Sequence, residues 1–200
     1  EILENAGLPI PPTEILDEKT DLAGVMARLG SPVILKTPDG SFGANMVKAK
    51  TLDELKAGAK KMFEDTALVI AQSFVPTTYD WRVGVLGGEP IYACQYEMAR
   101  GHWQIVKHGK DGKMTAGGHK TFAIEDVPEN VVQVAVKAAR LIGDGLYGVD
   151  LKDTGNGVVV IEINDNPSMD FDVEGQVLKD ELWRKILTWF SNRLEQRLGF

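Results

Sequence analysis

The stretch VVVIEINDNPSMD, Val158–Asp170, decides the fold. It begins as an apolar strand, takes in a glutamate at 162, and ends in Asn164-Asp165-Asn166-Pro167. A carboxylate among valines and isoleucines is costly to bury unless a cation compensates it. Strand side chains alternate faces. Glu162 and Asn164 therefore share a face with Val160, while Val159, Ile161 and Ile163 point the other way, into a core. Upstream, YGVDLKDTGNG (Tyr147–Gly157) supplies a partner strand. A hairpin closed over Asp153–Gly157 pairs Lys152 with Val158 and Asp150 with Val160. Asp150 then lies on the face of Glu162, one diagonal step away, with Cβ atoms roughly 7 Å apart. Two carboxylates and an amide oxygen are hard donors. They suit Mg²⁺, which keeps waters and completes its shell with phosphate oxygens. The plainer alternative is the solvated face of a half-exposed sheet. An uncompensated Asp/Glu pair in an apolar strand weakens it.

Working outward, helices and strands alternate with prominent hairpins. Asp21–Leu29 reads as an amphipathic helix stopped by Gly30, and Thr51 opens a second helix with a T-L-D-E capping box running to about Glu64. Pro32–Lys36 and Met46–Lys50 read as strands, as does the nearly continuous apolar run Ala67–Val75. WRVGVLGGEPIYACQYE turns at Gly87-Gly88, and HWQIVKHGKDGKMTAGGHKTFAI reads as short strands around a mobile loop. Long helices are expected at Pro128–Gly143 and Val177–Leu198, the latter with Leu178, Leu182, Ile186, Trp189 and Phe190 at helical spacing. This pattern predicts an α+β fold with mostly antiparallel sheets.

Three further segments carry polar chemistry. LKTPDGSFGANMV (Leu35–Val47) places glycines where backbone N–H groups can wrap phosphate oxygens. It is no Walker A motif, having no G-K-[ST]. Lys36 ends the preceding strand within reach of a phosphate. In LVIAQSFVPTTYDWR an apolar strand leads to backbone at Ser73–Val75 that can read an adenine edge, and to Asp80, which can bind ribose hydroxyls. Arg100, His102, Lys107 and His108 form a basic group near a loop; the histidines have no metal-ligand spacing with one another or with the cysteine.

The 200 residues carry a formal net charge of −7, which opposes general binding to nucleic acid or an anionic membrane surface. The one cysteine, Cys94, permits no intramolecular disulfide. That fits a reducing compartment, and a cytoplasmic protein is expected. No apolar run is long enough to span a bilayer.

Taken in this order, the motifs resemble those of ATP-grasp ligases, above all the RimK-like branch, whose relatives include glutathione synthetase. The resemblance covers nearly the whole chain. AGLPIPPT looks like the approach to the ATP-grasp domain, VILK with DGSFGANMV like the nucleotide lysine and phosphate loop, VIAQSFV like the adenine hinge, and YDWR like the ribose acid plus an arginine. GVDL and IEINDNP look like the metal pair and are the specific part. The resemblance implies two α+β lobes, residues 1–75 and 76–200, gripping a nucleotide between them. It implies ATP and Mg²⁺ (with Mn²⁺ as an alternative) and ADP-forming carboxylate–amine ligation through an acyl-phosphate. The substrate is expected to be an amino acid or peptide, with a protein C-terminus as a further option. Lys36 would contact phosphates, Gly40, Ser41 and Gly43 would cover them, Gln72, Ser73, Phe74 and Val75 would hold adenine, and Asp80 would take ribose. Asp150, Glu162 and Asn164 would ligate metal, and Arg82 and Asn166 would stabilise the acyl-phosphate region. Ser73 stands where many relatives have a glutamate, and Gln104 where the ligases carry an arginine. The family's N-terminal domain and an upstream lysine are missing, so a longer chain is expected. The competing reading is a nucleotide-binding regulatory module without ligase activity.

Overall fold

The structure is a computed structural model that describes residues 2–38, 46–108 and 113–199. In chain order its elements are α1 (Ile2–Asn5), β1 (Thr13–Leu16), α2 (Leu22–Leu29), β2 (Val33–Lys36), β3 (Val47–Ala49), α3 (Leu52–Phe63), β4 (Val69–Ser73), β5 (Tyr79–Leu86), β6 (Glu89–Glu97), β7 (Val106–His108), β8 (Met114–Ala116), β9 (His119–Phe122), α4 (Glu129–Ile142), β10 (Leu146–Asp153), β11 (Val158–Asn164) and α5 (Asp180–Leu198). Every strand pairing described is antiparallel, as the hairpin-rich pattern predicts.

The chain forms two compact units, Ile10–Pro76 with Val106–Ala116, and Glu1–Pro9 with Thr77–Ile105 and Gly117–Phe200. The main division falls next to the expected 75/76 boundary. The first nine residues and the β7–β8 ribbon lie on the opposite side of it from the sequence-based division.

The first unit is a four-stranded sheet, β1-β4-β2-β3. Val33, Leu35, Val69 and Ala71 pack with Val25 and Leu29 of α2 and with Leu55, Ala59 and Met62 of α3. The helices start where the sequence says. The Asp21 carboxylate accepts from the N–H groups of Ala23 and Gly24, and Gly30 leaves α2 at φ 78°, a conformation glycine adopts freely. Thr51 Oγ1 accepts from Glu54 N at 3.2 Å. Glu54 reaches back one residue further than the usual box and accepts from Lys50 N at 2.6 Å.

The second unit is a five-stranded sheet, β11-β10-β5-β6-β9. One face packs on α4, whose Val131, Ala135, Ala138 and Ala139 are buried. The other is partly covered by α5, with Leu182 and Ile186 against Leu86, Ile91, Tyr92 and Cys94. The β5–β6 hairpin turns at Gly87-Gly88 with φ 57° and 82°, as two-residue hairpins require. α5 begins at Asp180 rather than 177, and Phe190 is exposed, so the expected apolar stripe is only partly core.

The β10–β11 register differs from the one the loop length predicts. Lys152 pairs with Val159 and Leu151 with Val160; then the ladder shifts, and Asp150 pairs with Glu162. Ile161 is the extra residue of a β-bulge. The bulge moves Val158 and Val160 to the buried face, leaves Val159, Ile161 and Ile163 half-buried, and brings Glu162 out to solvent. Strict alternation therefore misassigns Val159 and Val160, and Asp150 stands directly opposite Glu162 instead of diagonally.

Candidate active site

The pairings of the second unit line up a row across all five strands: Glu162, Asp150, Arg82, Cys94 and Thr121. Opposed residues in a ladder share a face, so three charged groups lie side by side on the face away from α4. Arg82 Nε donates to Asp150 Oδ1 at 2.7 Å, and its terminal NH2 to Oδ2 at 2.8 Å. Such two-pronged pairs are the strong, orienting kind of ion pair. Burial works against the Arg82 cation, but the bonds and charge of Asp150 outweigh it and hold the guanidinium above its ordinary pKa. The cation beside the acidic pair is thus an arginine already built into the sheet.

Asn164 Nδ2 lies 3.4 Å from Asp150 Oδ2 and 3.4 Å from the Gly148 carbonyl. Glu162, Asp150 and Asn164 are therefore gathered at one place, as the sequence predicts. Among the described residues no cluster of three or more His, Cys, Asp or Glu side chains could hold a metal ion. The candidate donor set is two carboxylates and one amide, and all three are hard oxygen donors of the kind Mg²⁺ accepts alongside phosphates. Asn166 follows on an exposed turn.

Gly148 explains how that turn is placed. A Cβ there would meet Pro167 Cβ at 2.7 Å. The missing side chain lets Pro167 settle, buried, on β10 and aims Asn164–Asn166 across the strand end. Further along, Glu174 is 3% exposed. It accepts from Tyr96 Oη and, at 2.8 Å, from Asp170 N, while Thr121 Oγ1 donates to the Val173 carbonyl at 2.7 Å. These bonds strap the segment after Pro167 over β6 and β9. Arg82 lies over the Tyr96 ring, 5.5 Å from its centroid. Sequence reading missed Gly148, Tyr96 and Glu174; only the glycine inside a strand carried a local signal.

One row along on the same face, Asp80 of β5 meets Lys152 of β10. The ammonium donates to Asp80 Oδ1 and, at 2.8 Å, to Thr77 Oγ1, and Thr77 Oγ1 donates to the same Oδ1 at 2.9 Å. Burial raises the Asp80 pKa, with Lys152 and Thr77 opposing that rise. Neither Lys152 nor Thr77 was singled out from sequence.

In the first unit, Lys36 Nζ donates to Gln72 Oε1 at 3.3 Å, and Gln72 Nε2 to Thr13 Oγ1 at 2.9 Å. The structure thus brings Lys36 and Gln72 together. Ser73 is tied to its own unit by two bonds. Its N–H donates to the Pro12 carbonyl and its hydroxyl to the Leu29 carbonyl, while Phe74 N donates to Pro32 O. Of the three amides at Ser73–Val75, only that of Val75 donates to nothing among the described residues. Lys48 Nζ sits 3.3 Å from the Phe74 ring centroid, a cation–π contact the sequence reading missed; burial lowers its pKa. Gly40, Ser41 and Gly43 lie outside the described residues.

The chain is similar to known ligases. Probable alpha-L-glutamate ligases of Thioalkalivibrio sulfidiphilus and Shewanella amazonensis are each 26% identical to the chain, over 175 and 183 residues, 85% and 90% of its length. The chain spans only 54% and 58% of these relatives. Among solved structures, D-alanine–D-alanine ligase from Bacillus anthracis superposes with a TM-score of 0.75 at 18% identity, covering 98% of this chain and 66% of its own. The ATP-grasp ligase PsnB with its minimal precursor gives 0.64 at 23%, covering 95% and 57%. These likenesses establish the ATP-grasp fold. Residues 1–189 match the RimK-like ATP-grasp domain, and the chain belongs to that family.

Proposed function

We propose that the protein is an ATP-dependent carboxylate–amine ligase acting on an amino acid or peptide. The observation that carries this reading is the charged row Glu162–Asp150–Arg82 with Asn164 beside it: anionic donors for a divalent cation next to a fixed guanidinium. Phosphoryl transfer asks for positioning and charge neutralisation more than for a protein nucleophile. A substrate carboxylate oxygen attacks the γ-phosphorus of ATP, the bond to the β-phosphate oxygen breaks, and an acyl-phosphate and ADP result. An amine then attacks the acyl carbon and expels phosphate, leaving an amide. When bound at Asp150, Glu162 and Asn164, Mg²⁺ supplies charge neutralisation for the phosphates. Arg82, aimed by Asp150, faces the anionic oxygens of the transferred group, and Asn166 donates beside it. Lys36 meets the phosphates, the Val75 amide reads the adenine edge, Gln72 and Phe74 shape its pocket, and Asp80 accepts from the ribose. Excluding water protects the acyl-phosphate; the glycine-rich segment 108–118, of which 109–112 lie outside the described residues, is the candidate lid by its composition.

Glutamate is the first acid to test, because the two relatives above are probable alpha-L-glutamate ligases. The experiment is a screen of amino acids and short acidic peptides with Mg-ATP, reading phosphate release and amide product by mass spectrometry. Phosphate release that requires both an acid and an amine, with a matching amide, is the expected result. Nucleotide binding with no turnover across the screen favours the regulatory module instead.

A further inference from the structure

Resting on the reading of Asp80 as the ribose acceptor, we propose that Lys152 and Thr77 are positioning residues that make Asp80 selective for a nucleotide's ribose hydroxyls. Both donors converge on one oxygen, Oδ1. Asp80 Oδ2 receives no hydrogen bond among the described residues. The carboxylate is thereby fixed in rotation, with one oxygen anchored and the other left to accept. Lys152 and Thr77 are themselves joined at 2.8 Å, so the three groups close a ring in which no member can turn alone. The lysine and carboxylate side chains are only 11% and 16% exposed. At that burial a carboxylate without a cation is costly, so the ammonium both keeps Asp80 anionic and sets its orientation.

The sheet explains why a lysine reaches this place. Leu151 pairs with Trp81, which puts Lys152 beside Asp80 on the face that carries Asp150 and Arg82. The neighbouring charges divide between the two acids. Arg82 is committed to Asp150 through both of its carboxylate oxygens, leaving Lys152 as the cation bonded to Asp80. Tyr96 stands opposite Asp80 on β6, and its hydroxyl is turned to Glu174. Asp150 and Asp80 thus each have their own cation, and of these two acids Asp80 is the one with a carboxylate oxygen that receives no hydrogen bond among the described residues.

The test compares binding of ADP and 2′,3′-dideoxy-ADP by calorimetry, in the presence of Mg²⁺, for the protein and its Lys152→Met, Lys152→Arg and Thr77→Val variants. Using ADP removes turnover from the measurement. A hydroxyl bonded to a charged acceptor gives the unaltered protein about a tenfold or greater preference for ADP. Lys152→Met is expected to reduce that preference at least about fivefold, Lys152→Arg to keep it within about twofold, and Thr77→Val to reduce it by about twofold to threefold. A general structural loss lowers affinity for both ligands and leaves their ratio unchanged. An unchanged ratio in Lys152→Met, or in Thr77→Val should the lysine variant fail to fold, overturns the proposal while leaving Asp80 as the ribose acceptor. Equal binding of the two ligands by the unaltered protein overturns the ribose reading itself, and the proposal with it.

Discussion

Arg82 and Asp150 face each other across β5 and β10 and join through two parallel bonds of 2.7 and 2.8 Å. Glu162 stands on the far side of Asp150. Asp150 therefore has two neighbours of opposite charge. It aims the guanidinium and, in the proposed ligase, also shares a metal with Glu162. Asp150→Asn loses both functions. Phosphate release with acid and amine present is expected to fall by about a hundredfold or more, the scale seen when a preorganised charged group is removed. Retention of ligation in Asp150→Asn sinks the assignment.

The same pair makes a separate stability prediction. Arg82 and Asp150 are 21% and 16% exposed, so removing one partner strands the other in a poorly solvated place. Asp150→Asn and Arg82→Met should each cost about 2 kcal/mol in urea unfolding. The double variant should cost at least about 1 kcal/mol less than the sum of the two, because the groups act on each other. Additive losses would show that the pair contributes no coupling.

Gly148 is expected to tolerate no side chain. Its Cβ would stand 2.7 Å from Pro167 Cβ, and β10 is an inner strand that cannot give way easily. Gly148→Ala should destabilise the protein by about 1–3 kcal/mol through overpacking. It should also displace Asn164–Asn166 and lower kcat. Wild-type unfolding and turnover together would show that the turn has room to shift.

Cys94 is fully buried on β6, and burial pushes its thiol up to about 11. At pH 8 only about one molecule in a thousand carries the thiolate, the reactive form. Dithionitrobenzoate should leave the folded protein unlabelled at pH 8 and titrate one thiol per chain after denaturation. Rapid labelling of the native protein would show that this strand opens readily.

Much of this was legible in sequence because local physics decides it. Asp21 and Thr51 are cap residues whatever surrounds them, Gly87-Gly88 is a hairpin turn by its backbone freedom, and the acids of GVDL and IEIN must meet once a hairpin forms between them. What escaped depends on other strands. The bulge at Ile161 leaves no mark in the local alternation, yet it moves Glu162 from a diagonal to a directly opposed position. The commitment of Arg82 to Asp150 and of Lys152 to Asp80 follows from the strand order β11-β10-β5-β6-β9, which joins segments 68 and 72 residues apart, and that of Tyr96 to Glu174 from the segment after Pro167, 78 residues on from Tyr96. Nor do the sequence neighbours of Ser73 reveal that its N–H and hydroxyl donate to the carbonyls of Pro12 and Leu29, both distant in sequence.

Tyr96 and Glu174 supply the last prediction. Glu174 is almost fully buried, and its oxygens are divided between Tyr96 Oη and Asp170 N. Tyr96→Phe keeps the ring on which Arg82 rests, so the cation–π contact survives, while one oxygen of a buried carboxylate loses its donor. That change should cost about 2 kcal/mol, the order of a lost bond to a charged buried group. The Asp170 anchor then loosens four residues beyond Asn166. Since the affected segment follows the proposed metal and acyl-phosphate residues and is remote in sequence from the proposed hinge, ADP affinity should stay within about twofold while kcat falls by about tenfold, a loss of about 1.4 kcal/mol in transition-state stabilisation. Urea unfolding, ADP calorimetry and steady-state phosphate release separate the three quantities. A variant that unfolds like the wild type shows the Tyr96–Glu174 bond to be energetically idle. A variant that loses stability but keeps kcat confines the strap to holding the fold.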